Sequence, residues 1–349
     1  MQVPEKSSKP FRVAVAGTGY FSQFHYDAWS RLDGVCLAGA ASFDPKSLAD
    51  IRERFGVETV FDDVSNMLDQ VRPDLLDIAA PPNAHQTLLN EAAARGVDVI
   101  CQKPLGGDLK AARAMVKRAE AAGIVFAVHE NFRFQPWYRE AKRVIEAGHL
   151  GEVTNISFRL RPGDGQGPYA YLERQPYFQS MKRFLIHETA IHLIDSFRFL
   201  IGEVTGVYAH LLKRNPAIAG EDAGYLVFAF ESGAAGLFDG NRLIGFPADD
   251  PRLTMGELLL EGTGGSLRLD GNGGLWLRPH DGAEEVHAYT WENRSFGGDC
   301  VFALQRHVLS HLQDGTPLEN SGRDYLANLE IEELIYESAE VGRFLSRGD

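Results

Sequence analysis

The sequence predicts two domains, an α/β domain built on a doubly wound parallel sheet and an α+β domain with an open, mainly antiparallel sheet. The chain has 349 residues, which suits two domains of about 150 residues each. Over the first 130 residues, short apolar segments alternate with segments of helical periodicity, as expected for parallel strands covered by helices on both faces. From Thr205 to about Tyr289, strand-like segments follow one another without intervening helices, which indicates antiparallel pairing.

The first domain is predicted over residues 11–130. Its strands are expected in five apolar segments: Phe11–Ala16, Val35–Ala41, 75–80, 97–101 and 124–128. Its helices are expected at 22–32, Pro45–Phe55, 87–95 and 109–122. Asp108 and Gly123 bound the last of these, since a carboxylate caps a helix start and a glycine ends a helix. Right-handed crossovers then give a doubly wound sheet. The polar residues 1–10 are predicted to be a flexible tail.

The second domain is predicted over residues 131–349. Strands are expected at Val153–Leu160, 207–212, 224–230, 257–260 and 275–277, and helices at 137–147, 184–201, 300–313 and 325–345. A flexible loop is expected at residues 163–168, where three glycines occur. The runs of strands and the runs of helices together predict an α+β arrangement.

The composition limits the possible partners and compartment. Lys and Arg total 35 against 48 Asp and Glu, a net charge of −13, which argues against nucleic-acid and membrane-surface partners. No segment approaches the ~20 apolar residues of a membrane span, and the N-terminus lacks the apolar segment of a secretory signal. Cys36, Cys101 and Cys300 form no Cys-x-x-Cys pair. Reduced thiols and a cytoplasmic location are therefore predicted.

A glycine loop follows the first predicted strand. Gly17-Thr18-Gly19-Tyr20-Phe21-Ser22 fits a Gly-x-Gly-x-x-small pattern, in which the glycines let backbone N–H groups approach a pyrophosphate. The start of the next helix adds partial positive charge. A simple turn is the alternative, but the position in the first strand–helix unit favours a dinucleotide site.

The end of the second strand should contact the adenosine ribose. NAD recognition usually places an acid there, and the sequence has Ser42 at that position with Asp44 and Lys46 after it. Ser42 with Lys46 would suit a 2′-phosphate, whereas Asp44 reaching back would suit a free hydroxyl. Asp44 could also simply cap the next helix. The choice between NAD and NADP stays open.

Lys103 lies just past a buried strand, in Gln102-Lys103-Pro104. Ligands of open α/β sheets bind at the carboxyl ends of strands, so Lys103 is predicted to be functional rather than an ordinary surface lysine. Asn131 and Arg133 follow the next strand and are expected beside the nicotinamide. The alternative for Arg133 is an ion pair with an acid across the domain boundary.

A helix carries the second group of candidates, His187, Glu188 and His192. Glu188 and His192 are four residues apart and share a helix face, so the carboxylate could orient the imidazole for acid–base work. A hydrogen-bonded core histidine is the alternative. His187 and His192 are five residues apart, unlike the four-residue spacing of zinc helices, and no metal is predicted.

Five stretches, in order along the chain, resemble a known family. They are Gly17-Thr18-Gly19-Tyr20-Phe21 with His25, Ala80-Pro81-Pro82-Asn83-Ala84-His85, Gln102-Lys103-Pro104-Leu105, Ala147-Gly148-His149-Leu150-Gly151-Glu152-Val153 and His187-Glu188-Thr189-Ala190-Ile191-His192-Leu193-Ile194-Asp195. Together they resemble the Gfo/Idh/MocA oxidoreductases, which include glucose–fructose oxidoreductase and inositol dehydrogenase. The likeness extends over about residues 11–345.

The resemblance implies roles and an assembly. The first domain would be a Rossmann domain for NAD or NADP, Lys103 and His192 would be catalytic, and the protein would be a homodimer or homotetramer. Pro81, Asn83, His85 and Gln102 would join the cofactor-binding residues. The chain departs from the family pattern at Gln102, Glu188 and Ala190, where the motifs have Glu, Asp and Gly, which implies a different substrate pocket.

The sequence thus predicts an NAD(P)-dependent oxidoreductase that acts on a secondary alcohol of a sugar, polyol or sugar acid. Arg161 and Arg183, with Lys182, suggest a clamp for an anionic substrate, although solvated surface charge is the alternative. Two other functions stay open: a redox-neutral lyase or hydrolase that uses bound NAD, and a non-catalytic sensor. Retention of Lys103 and His192 argues against the sensor.

Overall fold

The computed structural model describes residues 9–348 and divides them into two compact units. The first unit contains the residues up to Glu130 together with Val301–Leu326, and the second contains Asn131–Cys300 and the residues from Ala327 onward. Of the predicted tail, residues 1–8 lie outside the described residues, and Lys9 and Pro10 are exposed.

The first unit is built on a six-stranded parallel sheet. Its strands are β1 (Phe11–Ala16), β2 (Val35–Ala41), β3 (Val60–Phe61), β4 (Leu75–Ile78), β5 (Asp98–Gln102) and β6 (Phe126–His129). The order is β3-β2-β1-β4-β5-β6, with all neighbours parallel. The chain reverses its direction of travel between β1 and β4, and the carboxyl ends of strands at such a switch point are where ligands bind. The predicted doubly wound sheet is confirmed.

Five helices connect these strands: α1 (Ser22–Ser30), α2 (Pro45–Phe55), α3 (Val64–Val71), α4 (Pro82–Ala94) and α5 (Leu109–Ala122). Asp44, Asp63 and Asp108 each cap the helix that follows, accepting from a first-turn N–H. The two-residue β3 and the helix α3 were not predicted, because neither segment has the length that makes periodicity readable. α4 begins five residues before the predicted helix, at Pro82, where proline suits the first turn.

Val301–Leu326 groups with the first unit, whereas the sequence placed all of residues 131–349 in the second domain. This segment contains most of α8 (Cys300–Asp314) and the start of α9 (Gly322–Val341). Ser321 forms an isolated antiparallel bridge with Ala127 of β6, and the Arg31 guanidinium lies 4.5 Å from the Phe302 ring centre. The apolar face of a helix does not itself reveal which sheet will cover it, so the sequence pattern could not make this assignment.

The second unit is built on a nine-stranded sheet. Its strands are β7 (Val153–Leu160), β8 (Val204–Leu212), β9 (Ala223–Phe230), β10 (Ala235–Asn241), β11 (Gly256–Gly262), β12 (Gly265–Leu269), β13 (Leu275–Pro279), β14 (Glu285–His287) and β15 (Leu345–Ser346). The order is β14-β13-β12-β11-β7-β10-β9-β8-β15. Only the β7–β10 pair is parallel among these described strands, so the mainly antiparallel sheet is confirmed.

One face of this sheet is covered and the other is largely open. On β9, Leu226, Phe228 and Phe230 are buried, while Tyr225 and Val227 are exposed. The Phe228 ring packs 5.8 Å from that of Phe197, which lies on α7 (Ile191–Ile201). The helix α7 therefore packs on the covered face of this sheet, and α6 (Pro136–Glu146) packs against α7.

Within residues 9–348, no helix is long and apolar enough to cross a membrane. Cys36, Cys101 and Cys300 form no disulfide bond with one another. Residues 9–348 contain no group of three or more His, Cys, Asp or Glu side chains arranged to hold a metal ion.

Candidate functional site

The glycine loop connects β1 to α1, and a side chain would have a different consequence at each of its two glycines. Gly17 has φ +116°, and a Cβ there would lie 2.5 Å from the Ala79 carbonyl oxygen. Gly19 has no heavy atom within 4 Å of where its Cβ would be. Gly17 is therefore required by the packing of β1 against the end of β4. Gly19 borders open space, and a ligand in this space can accept hydrogen bonds from the backbone N–H groups of the turn.

The start of α1 also suits an anion. The residue before the helix is Phe21, whose side chain makes no capping hydrogen bond. The Ser22 hydroxyl donates to the Gly19 carbonyl at 2.7 Å and so closes the turn. The first-turn N–H groups therefore lack the side-chain cap that α2, α3 and α5 have, and an uncapped helix start favours phosphate. Tyr20, 46% exposed, lies beside this turn.

A hydroxyl network lies at the end of β2. The Thr18 hydroxyl donates to the Ser42 hydroxyl at 2.7 Å and is 2.6 Å from that of Ser47. Asp44 Oδ1 accepts from the Lys46 backbone N–H at 3.1 Å. Asp44 thus caps α2, the alternative raised from the sequence. Ser42, Asp44 and Lys46 remain candidates for the ribose contacts.

The turn from β4 to α4 carries the segment with Pro81, Asn83 and His85. Pro81 and Asn83 are exposed at the helix start. His85 is fully buried, and its Nε2 lies 2.8 Å from the Ala80 carbonyl oxygen. Burial lowers the pKa of His85, which keeps the imidazole neutral, so that its Nε2–H donates to Ala80. His85 therefore supports the turn from inside, while Pro81 and Asn83 face outward.

Lys103 follows β5 and lies at the same edge of the sheet as the glycine loop, because the strands are parallel. Its side chain is half-buried, and its peptide bond to Pro104 is cis. The Lys103 backbone N–H donates to Gln102 Oε1 at 2.7 Å. The first unit thus presents an open glycine turn, a hydroxyl network and a lysine at the carboxyl ends of its strands.

In the second unit, the segment predicted as one α-helix over 184–201 begins instead with a π-helix. Leu185–Ala190 is π-helical and Ile191–Ile201 is α-helical. At its N-terminus, Glu221 Oε1 accepts from the backbone N–H groups of Phe184 and Ile186 at 3.0 and 3.1 Å. Short π-helical turns are rare and occur frequently at functional sites. Glu188 lies in this turn and is half-buried.

His192 lies in the first turn of α7. Its side chain is buried, with the residue 7% exposed. Its ring stacks on that of Phe132, with centres 4.0 Å apart and planes 6° apart. Ser196 donates to the His192 carbonyl at 2.8 Å. The imidazole is thus held in one orientation by an aromatic face, which suits a positioned acid or base.

The other candidate substrate residues have carboxylate partners. His187 Nδ1 lies 2.6 Å from Glu332 Oε1. Arg183 forms two hydrogen bonds with Glu333, at 2.5 and 3.0 Å. Arg161 bonds the Asp239 carboxylate and the carbonyls of Leu160 and Asp239. Both guanidiniums therefore have protein acceptors where the sequence suggested an anionic substrate.

Arg133 is likewise engaged in a buried ion pair. Its guanidinium donates to both oxygens of Asp195, at 2.7 and 2.6 Å, and Asn328 donates to the same carboxylate at 2.8 Å. Asp195 lies on α7, and both partners belong to the second unit. Asn131, which precedes this segment, is buried. Arg133 thus forms the ion pair raised as its alternative, but with an acid of its own unit rather than one across the domain boundary.

This pair leads to a prediction for stability. Asp195→Ala leaves the Arg133 charge buried without its partner, which costs about 3–5 kcal/mol. The free energy of unfolding, measured by urea denaturation, is expected to fall by about that amount. The matched control is Asp50→Ala, which removes the exposed Asp50–Arg54 pair, worth about 0.5 kcal/mol. An equal decrease in the free energy of unfolding in the two variants would contradict the structural role of the Arg133–Asp195 pair.

Sequence reasoning missed Arg242, which is buried in the second unit. It donates to Asp164 at 3.2 and 2.7 Å and to the Thr189 hydroxyl at 2.6 Å. Its guanidinium also lies 4.9 Å from the Phe184 ring centre. Arg242 therefore fastens the glycine-rich loop to the π-helix that carries Glu188. No motif in the sequence around Arg242 signals this contact.

Comparisons with known proteins agree with this geometry. Residues 11–130 match the model described as the oxidoreductase family with an NAD-binding Rossmann fold, and residues 138–268 match that described as the GFO/IDH/MocA C-terminal domain. A D-apiose dehydrogenase from Paraburkholderia graminis is 33% identical, over 96% of this chain and 89% of the relative. A second, from Rhizobium rhizogenes, is 31% identical over 96% and 97%.

Solved structures show the same fold. An oxidoreductase from Agrobacterium radiobacter, in complex with NAD+, L-tartaric acid and magnesium, is 30% identical, with a TM-score of 0.87 over 97% of this chain and 99% of that one. A levoglucosan dehydrogenase, in complex with NADH and levoglucosan, is 21% identical, with a TM-score of 0.83 over 98% and 100%.

Proposed function

Because the chain belongs to the Gfo/Idh/MocA oxidoreductase family, we propose that it is a nicotinamide-dependent dehydrogenase that transfers a hydride between NAD(H) and a secondary alcohol of a sugar or polyol. The observation that carries this proposal is the similarity to two D-apiose dehydrogenases over nearly the full length of both chains. D-apiose is therefore the first substrate to test, followed by other pentoses, inositols and their acids.

The cofactor is assigned to the first unit, where the residues suit a dinucleotide. The open space at Gly19 and the uncapped start of α1 fit a pyrophosphate. We assign the remaining contacts to Thr18, Tyr20, Phe21, Ser42, Asp44, Lys46, Pro81, Asn83, Gln102 and Lys103, with Gly17 and His85 shaping the turns. When bound, NAD supplies the hydride acceptor at its nicotinamide ring.

We assign the acceptance of the substrate's hydroxyl proton to side chains of this protein. Oxidation of an alcohol releases a hydroxyl proton together with the hydride, and a positioned base that accepts this proton lowers the barrier. Lys103 and His192 are the two candidates, with Glu188 as the carboxylate that orients His192. Holding the alcohol in one pose near such a base also removes much of the entropic cost of reaction.

The assay for this proposal measures NADH formation from NAD+ with a panel of sugars, polyols and sugar acids, beginning with D-apiose. Sustained NADH release that depends on one substrate class supports the dehydrogenase. Consumption of a substrate without net NADH release favours the redox-neutral lyase or hydrolase. Binding of sugars and NAD without any conversion favours the sensor.

We also propose a homodimer or homotetramer that forms through the open face of the nine-stranded sheet. Val227 of β9 is paired with Leu237 of β10 and with Tyr208 of β8. Val227 and Leu237 are 41% and 44% exposed, so an apolar patch crosses several strands. Exposed patches of this kind mark interaction surfaces.

The substitution Leu237→Asp tests this surface. A buried, unpaired charge at an interface is expected to shift the mass measured by light scattering to that of one chain. Val341→Asp, which places the same charge at an exposed valine near the end of α9, is the control and should leave the mass unchanged. A wild-type protein that is already monomeric would refute the proposed assembly.

A cytoplasmic location is proposed on one observation. Cys36, Cys101 and Cys300 form no disulfide bond with one another, and proteins without disulfides are typical of reducing compartments.

A further inference from the structure

A hydrogen-bonded chain runs from the core of the first unit to the backbone of Lys103. His25 on α1 and Asp77 on β4 are both fully buried. His25 Nδ1 lies 2.8 Å from Asp77 Oδ2, and His25 Nε2 lies 3.2 Å from Gln102 Nε2. Gln102 Oε1 then accepts from the Lys103 N–H at 2.7 Å. The side chains of His25 and Gln102 therefore link a buried carboxylate, Asp77, to the residue that enters the proposed catalysis.

The direction of each hydrogen bond is fixed by chemistry. A backbone N–H can only donate, so the Gln102 oxygen must face Lys103 and the Gln102 amide nitrogen must face His25. That nitrogen can only donate, so His25 Nε2 must carry a lone pair. The proton of the neutral imidazole is then on Nδ1, where it donates to Asp77. Reversing the amide would place donor against donor at Lys103.

The surroundings of Asp77 stabilise its charge. Trp29 Nε1 donates to the same carboxylate oxygen at 2.8 Å, and Gln305 of α8 lies 3.5 Å away. A buried carboxylate needs such donors, and the Nδ1–H of His25 is one of them. Protonation of His25 on Nε2 would instead set an N–H against the Gln102 amide hydrogens. The chain is therefore consistent only with neutral His25.

The other titratable groups around this chain also stay neutral. His129 of β6 stacks on His25, with ring centres 3.9 Å apart, and burial holds its pKa well below the ordinary value. Burial and the charge of Asp77 raise the pKa of Tyr26 on α1 and of the Cys101 thiol on β5. These groups face His25 or Asp77 from α1, β5 and β6. None of them offers a mobile proton near neutral pH.

We propose that Asp77, His25 and Gln102 are positioning residues that hold the backbone at Lys103 through hydrogen bonds of fixed direction. The amide at Gln102 is central, because it donates to His25 and accepts from Lys103 and has no proton to gain or lose. A carboxylate at this position, as the family pattern has, would require a proton on His25 Nε2. This inference rests on the proposed function only in giving Lys103 a catalytic role.

Nitrogen NMR of histidine-labelled protein tests the chain without cofactor or substrate. The His25 signals, identified by their loss in His25→Asn, are expected to show the Nδ1–H tautomer, which donates to Asp77 and accepts from Gln102. Gln102→Glu is expected to show both ring nitrogens protonated. Gln70→Glu, the same charge change at an exposed site on α3, should leave His25 as in the wild type. A wild-type Nε2–H tautomer or imidazolium would overturn the proposal.

Two readouts then test the positioning of Lys103. The Lys103 amide is expected to be protected from hydrogen exchange in the wild type and in Gln102→Glu, and to lose this protection in Gln102→Leu. On a validated substrate, Gln102→Leu is expected to lower kcat about 10²-fold, as a small misplacement does. Gln102→Glu should restore kcat and add an ionisation to its pH profile. Unchanged protection or unchanged kcat in Gln102→Leu would overturn the positioning role.

If no substrate is found, the dehydrogenase proposal fails, whereas the tautomer and hydrogen-exchange results still decide whether this chain exists and holds Lys103.

Discussion

Lys103→Ala and His192→Ala are each expected to lower kcat by roughly 10²–10⁴-fold, the usual contribution of a positioned acid or base. Lys103 lies at the carboxyl end of β5, on the sheet edge that carries the glycine loop. His192 is held by its stack on Phe132. His192→Ala also removes a buried ring that stacks on Phe132, so it lowers stability as well, whereas NADH affinity should change far less than turnover in both variants.

Two control variants accompany this experiment. Lys110→Ala and His280→Ala remove the same residue types at exposed positions and are expected to leave kcat unchanged. Steady-state kinetics on the substrate identified by the panel give kcat and KM for all four variants. If both Lys103→Ala and His192→Ala retain wild-type turnover, the catalytic assignment is wrong and the sensor becomes the better interpretation.

Gly19→Val is expected to lower NADH affinity by at least about 10²-fold, or about 2.7 kcal/mol, while the thermal midpoint of unfolding stays unchanged. Its side chain would enter space that is empty in the protein and that we assign to the pyrophosphate. Gly17→Ala should behave in the opposite way. Its Cβ would meet the Ala79 backbone at a positive φ, which costs about 2 kcal/mol or more of folding stability.

Calorimetric titration with NADH and thermal unfolding separate these two effects. Gly245→Val is the control, since Gly245 also has open space around its Cβ position and no positive φ but lies in the second unit. It should change neither affinity nor stability. A Gly19→Val variant that binds NADH as tightly as the wild type would contradict the assignment of the cofactor to this loop.

The pair of glycines shows where the sequence was informative and where it was not. The pattern around Gly17 and Gly19 predicted a turn between a strand and a helix, because strand periodicity, glycine and helix periodicity are local properties. It could not separate the two glycines, because the neighbour that excludes a side chain at Gly17 is Ala79, distant in sequence. The doubly wound sheet could be predicted from the same local patterns, together with the rule that crossover connections are right-handed.

The second unit was harder to predict because its site depends on contacts distant in sequence. The π-helix at Leu185–Ala190 arises beside Glu221, and the loop before it is fastened by Arg242. Arg133, Arg161 and Arg183 were candidate substrate contacts because arginine suits anions. Their carboxylate partners lie 62 to 150 residues away, where no sequence pattern connects them.

The central claim is hydride transfer to a nicotinamide, and isotope transfer tests it most directly. The validated sugar or polyol, carrying deuterium on the carbon that bears the reacting hydroxyl, is incubated with NAD+ and the wild-type protein. Mass spectrometry of the recovered cofactor then follows the deuterium. The account predicts that the NADH formed carries that deuterium on its nicotinamide ring, one for each molecule of substrate oxidised. Substrate consumed with the deuterium released to solvent, or with no reduced cofactor formed, would contradict it.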